Sequence, residues 1–224
     1  MPRTARKMKY GNIAELLSAL GDISPERICM NPPPGTATKR DLLRMDGRGG
    51  KRYELVDRTL VEKPMGAPES FLATVLIRIF GRYLDDHDIG FLYAPDVLIQ
   101  ILPSLVRGPD VSFVPWTLRP EKTVPTEPIS TLIPELVVEV LSPSNTKREI
   151  RRKLREYFRA GVLAVWIIDP KTYTADVYTD LETKTTIPET GSLDGEEILP
   201  GFKLPLQKLF ARLERPKKPK PPKG

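Results

Sequence analysis

The residues best suited to chemistry in this chain are acids and a lysine. Glu139 interrupts the short apolar run Glu-Leu-Val-Val-Glu-Val-Leu-Ser at 135–142. Such a run of branched side chains reads as a buried strand. A carboxylate inside it is costly unless it is paired or holds a metal. Both readings stand: an ion pair to the next helix, or a ligand. Alternation along the strand puts Glu139 on one face with Val137 and Leu141. Asp110 follows proline in Arg107-Gly108-Pro109-Asp110-Val111. Proline forces an extended entry to a strand, although Asp after Pro is also common turn chemistry.

The third element is the basic segment Thr-Lys-Arg-Glu-Ile-Arg-Arg-Lys-Leu-Arg-Glu-Tyr-Phe-Arg-Ala-Gly at 146–161. Ile150, Leu154, Tyr157 and Phe158 fall on one helical stripe that should face a sheet. At 100° per residue, Lys153 lies about 60° to one side of that stripe. It can therefore reach over the sheet toward Glu139. Arg148, Arg151, Arg152 and Arg155 point mostly outward, as a solvated face or as a face that meets phosphates. Glu54, in Tyr53-Glu54-Leu55-Val56, reads on its own as an exposed strand carboxylate.

Composition narrows the alternatives. With one histidine, His87, and one cysteine, Cys29, multi-histidine metal sites, cysteine zinc sites and internal disulfides are excluded. Asp85-Asp86-His87-Asp88 reads as a solvated helix end before a metal site. Ser142 and Ser144 lack a nearby histidine, and Ser144 or Asn145 suits helix capping, with Thr146 beside it. No run reaches the ~18 apolar residues of a membrane span, and the N-terminus has no apolar signal core. A cytoplasmic protein is expected.

The net charge of +6 is not spread evenly: residues 1–9 carry +4 and residues 213–224 another +4, so the body at 10–212 is −2. The basic character is a property of the tails, which would bind nucleic acid non-specifically and in a salt-dependent way.

These residues need elements to hold them. The expected order is an N-terminal extension over 1–50, with a short helix at 13–23 and a Pro/Gly-rich linker at 31–51; a folded domain over 51–212; and a mobile Lys/Pro-rich tail at 213–224. Within the domain, 52–64 reads as a strand, a turn at Asp57-Arg58, and a strand. A helix capped by Ser70 follows, with a stripe of Leu72, Val75, Leu76, Ile79, Phe80 and Tyr83. The segments 91–102 and 110–115 read as strands. After 135–142 and the basic helix, 163–170 is a buried strand and 175–189 a final hairpin. The fold class is α/β (α+β), a sheet with helices on its faces.

Taken together, Tyr-Glu-Leu-Val at 53–56, Gly-Pro-Asp-Val at 108–111, Val-Val-Glu-Val-Leu-Ser-Pro-Ser at 137–144, Lys153 with Tyr157, Gly161-Val162, and Trp-Ile-Ile-Asp-Pro at 166–170 resemble the Uma-two (Uma2) family. That family belongs to the PD-(D/E)XK restriction-endonuclease-like superfamily. The resemblance runs over about 50–210. It implies a mixed sheet flanked by helices, and an endonuclease that hydrolyses DNA with Mg²⁺, or with Mn²⁺, held by Asp110, Glu139 and Glu54. Lys153 would assist from the following helix, since Leu141 stands where the superfamily usually has its lysine. Arg58 stands where the family's turn has glycine. A two-fold homodimer is implied by resemblance. The alternative is a nucleic-acid-binding module that keeps the fold without catalysis.

Overall fold

The polar start of the chain hides two short helices: α1 (Ile13–Ala19) and α2 (Lys39–Met45). Asn12 caps the first, and Thr38 and Asp41 form a capping box on the second. The computed structural model describes residues 10–213. The expectations for the basic start at 1–9 and for the tail beyond Leu213 lie outside the described residues.

The stretch at 31–51 differs from the expected linker. Leu42 of α2 is fully buried beside Ala37, against Tyr53, Leu55 and Val106 of the sheet. Two apolar side chains among many polar ones give no period to read, yet they suffice to pin the segment. Leu16 and Leu20 likewise pack into the cluster that holds Leu154 and Tyr157.

Strands β1 (Arg52–Val56) and β2 (Thr59–Lys63) pair antiparallel. Their two-residue turn puts Asp57 and Arg58 at φ 48° and 60°. A tight hairpin demands that left-handed geometry, so Arg58 takes a conformation that glycine adopts more easily.

Helix α3 (Ala67–Asp86) follows. It begins before Ser70, which sits inside it; Gly66 is the N-cap, and Pro68 in the first turn needs no N–H partner. Leu72, Val75, Leu76 and Phe80 are buried as the stripe predicts.

The remaining strands are β3 (Gly90–Tyr93), β4 (Leu98–Leu102), β5 (Leu105–Arg107), β6 (Val111–Pro115), β7 (Ile129–Ser130) and β8 (Leu136–Val140). Helix α4 (Lys147–Ala160) leads to β9 (Ala164–Asp169), β10 (Thr174–Tyr178), β11 (Lys184–Ile187), β12 (Ser192–Asp194), β13 (Lys203–Pro205) and α5 (Leu206–Phe210). Thr146, rather than Ser144 or Asn145, caps α4 by accepting from the Glu149 amide. Gly161, at φ 104°, ends it.

Two mixed sheets result, in the orders β2-β1-β5-β4-β7 and β11-β10-β9-β8-β6-β3, with β12-β13 as a separate pair. Strands β8 and β9 are parallel, as a strand–helix–strand unit requires. The six-stranded sheet is covered on both faces. Val138, Val140, Trp166 and Ile168 join α3 and α5 in one core, while Val137, Val165 and Ile167 meet α4 in another. The fold is the mixed α/β class expected. Among the described residues, no helix is long and apolar enough to cross a membrane.

Candidate active site

Register decides where the acids meet. Val111 of β6 pairs with Val138 of β8. That brings Asp110, one residue before β6, to the end of β8, where its Oδ2 accepts from the Val140 amide at 2.6 Å. Glu139, next to Val140, points to the opposite face from Val138 and Val140, toward α4. Lys153 Nζ donates to Glu139 Oε2 at 2.9 Å, and Tyr157 OH donates to Glu139 Oε1 at 2.5 Å. The helical offset of Lys153 thus produces the contact it suggested. Asp110, Glu139 and Lys153 line one small cleft, together with Arg27, Lys63 and Glu69.

Glu54 departs from its reading as an exposed strand acid. It is 1 % exposed. Its Oε2 takes Arg107 Nη1 at 2.6 Å, and its Oε1 takes the Gly108 amide at 3.2 Å with Lys153 Nζ 3.7 Å away. Arg107 also donates from Nε to Glu156 Oε2 at 3.0 Å. Glu156 Oε1 in turn accepts from Arg152 at 2.7 Å, and Arg152 reaches Asp57 at 3.0 Å. Burial would push the Glu54 carboxyl up, but Lys153, Arg107 and Lys63 pull it down to about 2. Burial alone would lower Lys153, yet Glu139 and Glu54 hold it well above its ordinary value. Burial and Glu139 raise Tyr157 far above the usual phenol range, so it stays a hydrogen-bond donor.

Several residues at the cleft gave no signal in the sequence. Lys63 ends β2, bridges to Asp110 Oδ1 at 2.7 Å and donates to the Gly108 carbonyl. Arg27 is buried and grips Glu149 through two bonds of 2.9 and 2.7 Å. Burial would raise Glu149, but the bond from Arg27 and the charge of Lys153 bring it below the ordinary range. Arg107 stands three residues before Asp110, and that proximity is the one hint of its place. Nothing in sequence links Arg27 or Glu69 to the cleft.

The arginines of α4 have different surroundings. Arg148 pairs with Asp22 and donates to Ser18, while Arg151 pairs with Glu182. Arg152 is half-buried in the Glu156–Asp57 network and also donates to the Ala19 carbonyl. Arg155 is exposed. The Asp85–Asp88 cluster forms the end of α3, where Asp88 bonds Trp116 and Lys122.

As oriented here, no three His, Cys, Asp or Glu side chains among the described residues stand close enough to hold a metal ion. The donor chemistry still fits a hard divalent cation. Two carboxylates, Asp110 and Glu139, face one cleft that no cysteine or histidine lines, and Mg²⁺ takes oxygen ligands while keeping several waters. Lys63 and Lys153 are their present counter-ions.

The model of the Uma2 family, described as "Putative restriction endonuclease", matches residues 40–207. The chain belongs to the Uma2 family. Its fold is similar to the crystal structure of "a putative nuclease belonging to DUF820" from Anabaena variabilis ATCC 29413, with a TM-score of 0.66 at 17 % identity. That match covers 78 % of this Uma2 chain and 97 % of the other. No curated protein matches it. The Uma2 match takes in Glu54, Asp110, Glu139, Lys153, Lys63 and Glu69, whereas Arg27 precedes it.

Proposed function

We propose that this Uma2 chain is a metal-dependent endonuclease that hydrolyses phosphodiester bonds in DNA. The observation that carries the reading is the convergence of Asp110, Glu139 and Lys153 on one cleft, with the lysine 2.9 Å from Glu139. Asp110 and Glu139 would hold the cation. Bound Mg²⁺ or Mn²⁺ would lower the pKa of a water and neutralise charge on the scissile phosphate.

The chain's own groups do the rest. Lys153 keeps its proton, because Glu139 and Glu54 hold its pKa high. It serves as a fixed positive charge beside the developing negative charge, and not as a base. Tyr157 fixes Glu139 by donating to Oε1, which leaves Oε2 for Lys153. Glu54 is 1 % exposed and, unlike Asp110 and Glu139, does not line the cleft. In this reading it positions Lys153 and Arg107 in place of holding metal. Exposed arginines of α4, Arg155 first, and Arg148 and Arg151 if they leave their surface acids, would meet the phosphate backbone. Two chains related by a two-fold axis would cut the two strands of a duplex.

The test is nicking of supercoiled plasmid with Mg²⁺, with Mn²⁺ and with EDTA, beside Glu139→Gln. Metal-dependent nicking should fall about 10²–10³-fold in the variant while its circular dichroism is unchanged. Full activity in a folded Glu139→Gln protein would overturn the assignment.

A further inference from the structure

Arg27 lines the cleft with Lys153 and has no task in the hydrolysis proposed above. It is 6 % exposed. Its Nη1 and Nη2 donate to Glu149 Oε2 and Oε1 at 2.9 and 2.7 Å, and its Nε donates to the Glu62 carbonyl of β2 at 2.9 Å. Glu149 is 3 % exposed, and Asn145 Nδ2 adds a bond to its Oε2 at 3.0 Å.

Glu149 stands four residues before Lys153 on α4, so the two side chains are neighbours on one face. A buried acid in that place competes with Glu139 for the lysine. In the structure Glu139 has it: Lys153 Nζ lies 2.9 Å from Glu139 Oε2, while Arg27 engages both oxygens of Glu149. Without Arg27, Glu149 would be a buried carboxylate that had lost its ion pair, a costly state. Besides Arg27, the cation whose charge acts most strongly on Glu149 is Lys153.

The segment that carries Arg27 is fastened on both sides. Gly21 takes φ 91°, and a Cβ there would stand 2.6 Å from the Glu149 amide nitrogen, so this backbone lies directly on the first turn of α4. Thr146 donates to the Gly21 carbonyl, Arg148 to the Ser18 hydroxyl at 3.2 Å and Arg152 to the Ala19 carbonyl. Toward the sheet, Ile28 bridges to Val61, and the Cys29 amide donates to the Leu60 carbonyl at 2.9 Å. Arg27 is thus held between β2 and α4, by a segment that precedes the family match at 40–207.

We infer that Arg27 is a positioning residue: by engaging both oxygens of Glu149 it keeps Lys153 on Glu139. This rests on the nuclease reading above, in which Lys153 is the fixed positive charge. The other account is mechanical: the ion pair pins the N-terminal segment to α4, and Lys153 is indifferent to it. The accounts separate when Arg27 and Glu149 are neutralised together. With the competing acid gone, Lys153 has no reason to leave Glu139, whereas a missing pin stays missing.

The experiment is nicking of supercoiled plasmid with Mg²⁺ or Mn²⁺ by wild type, Arg27→Gln and Arg27→Gln/Glu149→Gln, below the melting temperature of each, with crystal structures of both variants. Arg27→Gln should lower kcat about 10²-fold with KM for plasmid near wild type, and its Lys153 should sit on Glu149. The double variant should recover most of the rate, a non-additivity that marks coupled residues, with Lys153 back on Glu139. A wild-type kcat in folded Arg27→Gln overturns the inference. A double variant as slow as the single one also overturns it and assigns Arg27 to pinning. Arg27→Lys keeps the charge and loses the planar fork, and serves where Arg27→Gln does not fold. A rate near wild type supports the role of the charge, and a rate about 10²-fold lower overturns it. No nicking by wild type overturns the nuclease reading itself. The crystal structure of Arg27→Gln then decides the placement alone: Lys153 on Glu149 supports it, and Lys153 still on Glu139 overturns it.

Discussion

The back and the front of the cleft use the same residue types to different ends. At the back, Glu54, Arg107, Glu156 and Arg152 form a chain of ion pairs in which each charge has a partner, and Glu54 and Arg107 are 1 % and 3 % exposed. At the front, Lys63 holds Asp110, Lys153 and Tyr157 hold Glu139, and Glu69 has no partner among the described residues. A closed network fixes geometry but has no valence left for a ligand. An incomplete one has that valence, and a substrate or cation can complete it. The difference explains why Glu54, although acidic and near the lysine, suits a positioning role.

The largest effect should come from breaking the back. Arg107→Met leaves Glu54 and Glu156 buried without their shared cation. Removing one partner of a buried pair costs about 3–5 kcal/mol. Chemical denaturation should show this as a lower midpoint at unchanged slope. Adding Glu54→Gln should restore part of the loss, since the stranded charge is then gone. If Arg107→Met unfolds at the wild-type midpoint, the back is not the rigid element described.

Acid should probe the same region more gently. The Glu54 carboxyl stands at about 2 when folded, against an ordinary value of 4.5. A depressed carboxylate contributes stability that is fully present above its unfolded pKa and is lost as pH falls through the folded one. Glu54 should therefore contribute up to about 3 kcal/mol at neutral pH, fading from about pH 4.5 downward toward pH 2. In Arg107→Met the folded value should move up toward 4.5, so the fading should be smaller and end at higher pH. Melting temperatures between pH 2 and 7 for wild type and Glu54→Gln measure the difference. A constant gap across that range would contradict the assignment.

What could be read beforehand follows the range of each interaction. Lys153 and Glu139 are 14 residues apart, and their contact follows from the helical angle of one and the strand alternation of the other. Helix α4, the pairing of β1 with β2 and that of β10 with β11 are similarly local. Glu54 is 53 residues from Arg107, and Arg27 is 122 from Glu149. No local period carries such pairings, so Glu54 read as a surface acid and residues 31–51 as a linker. The start of α3 departs from its capping signal for a different reason: Ser70 is the stronger capping residue, but Gly66 caps the helix and Pro68 sits in its first turn, so it begins four residues before the start that a Ser70 cap would give.

The smallest effects should separate two arginines on one helix. Arg152 spends its guanidinium on Glu156, Asp57 and the Ala19 carbonyl, so it ties α4 to the back of the cleft and to the N-terminal segment. Arg155 is exposed and has no hydrogen bond or ion pair among the described residues. Arg155→Ala should change stability by less than about 0.5 kcal/mol. If α4 meets a duplex, the same change should weaken binding in low salt and reduce the slope of log affinity against log salt by about 0.9 per lost phosphate contact. Arg152→Ala should do the reverse, lowering the denaturation midpoint while leaving that slope in place, because its charge is already neutralised inside the protein. Equal salt slopes for wild type and both variants would move the nucleic-acid face off α4, and the closed network behind the cleft would then be the one task of its arginines that the structure supports.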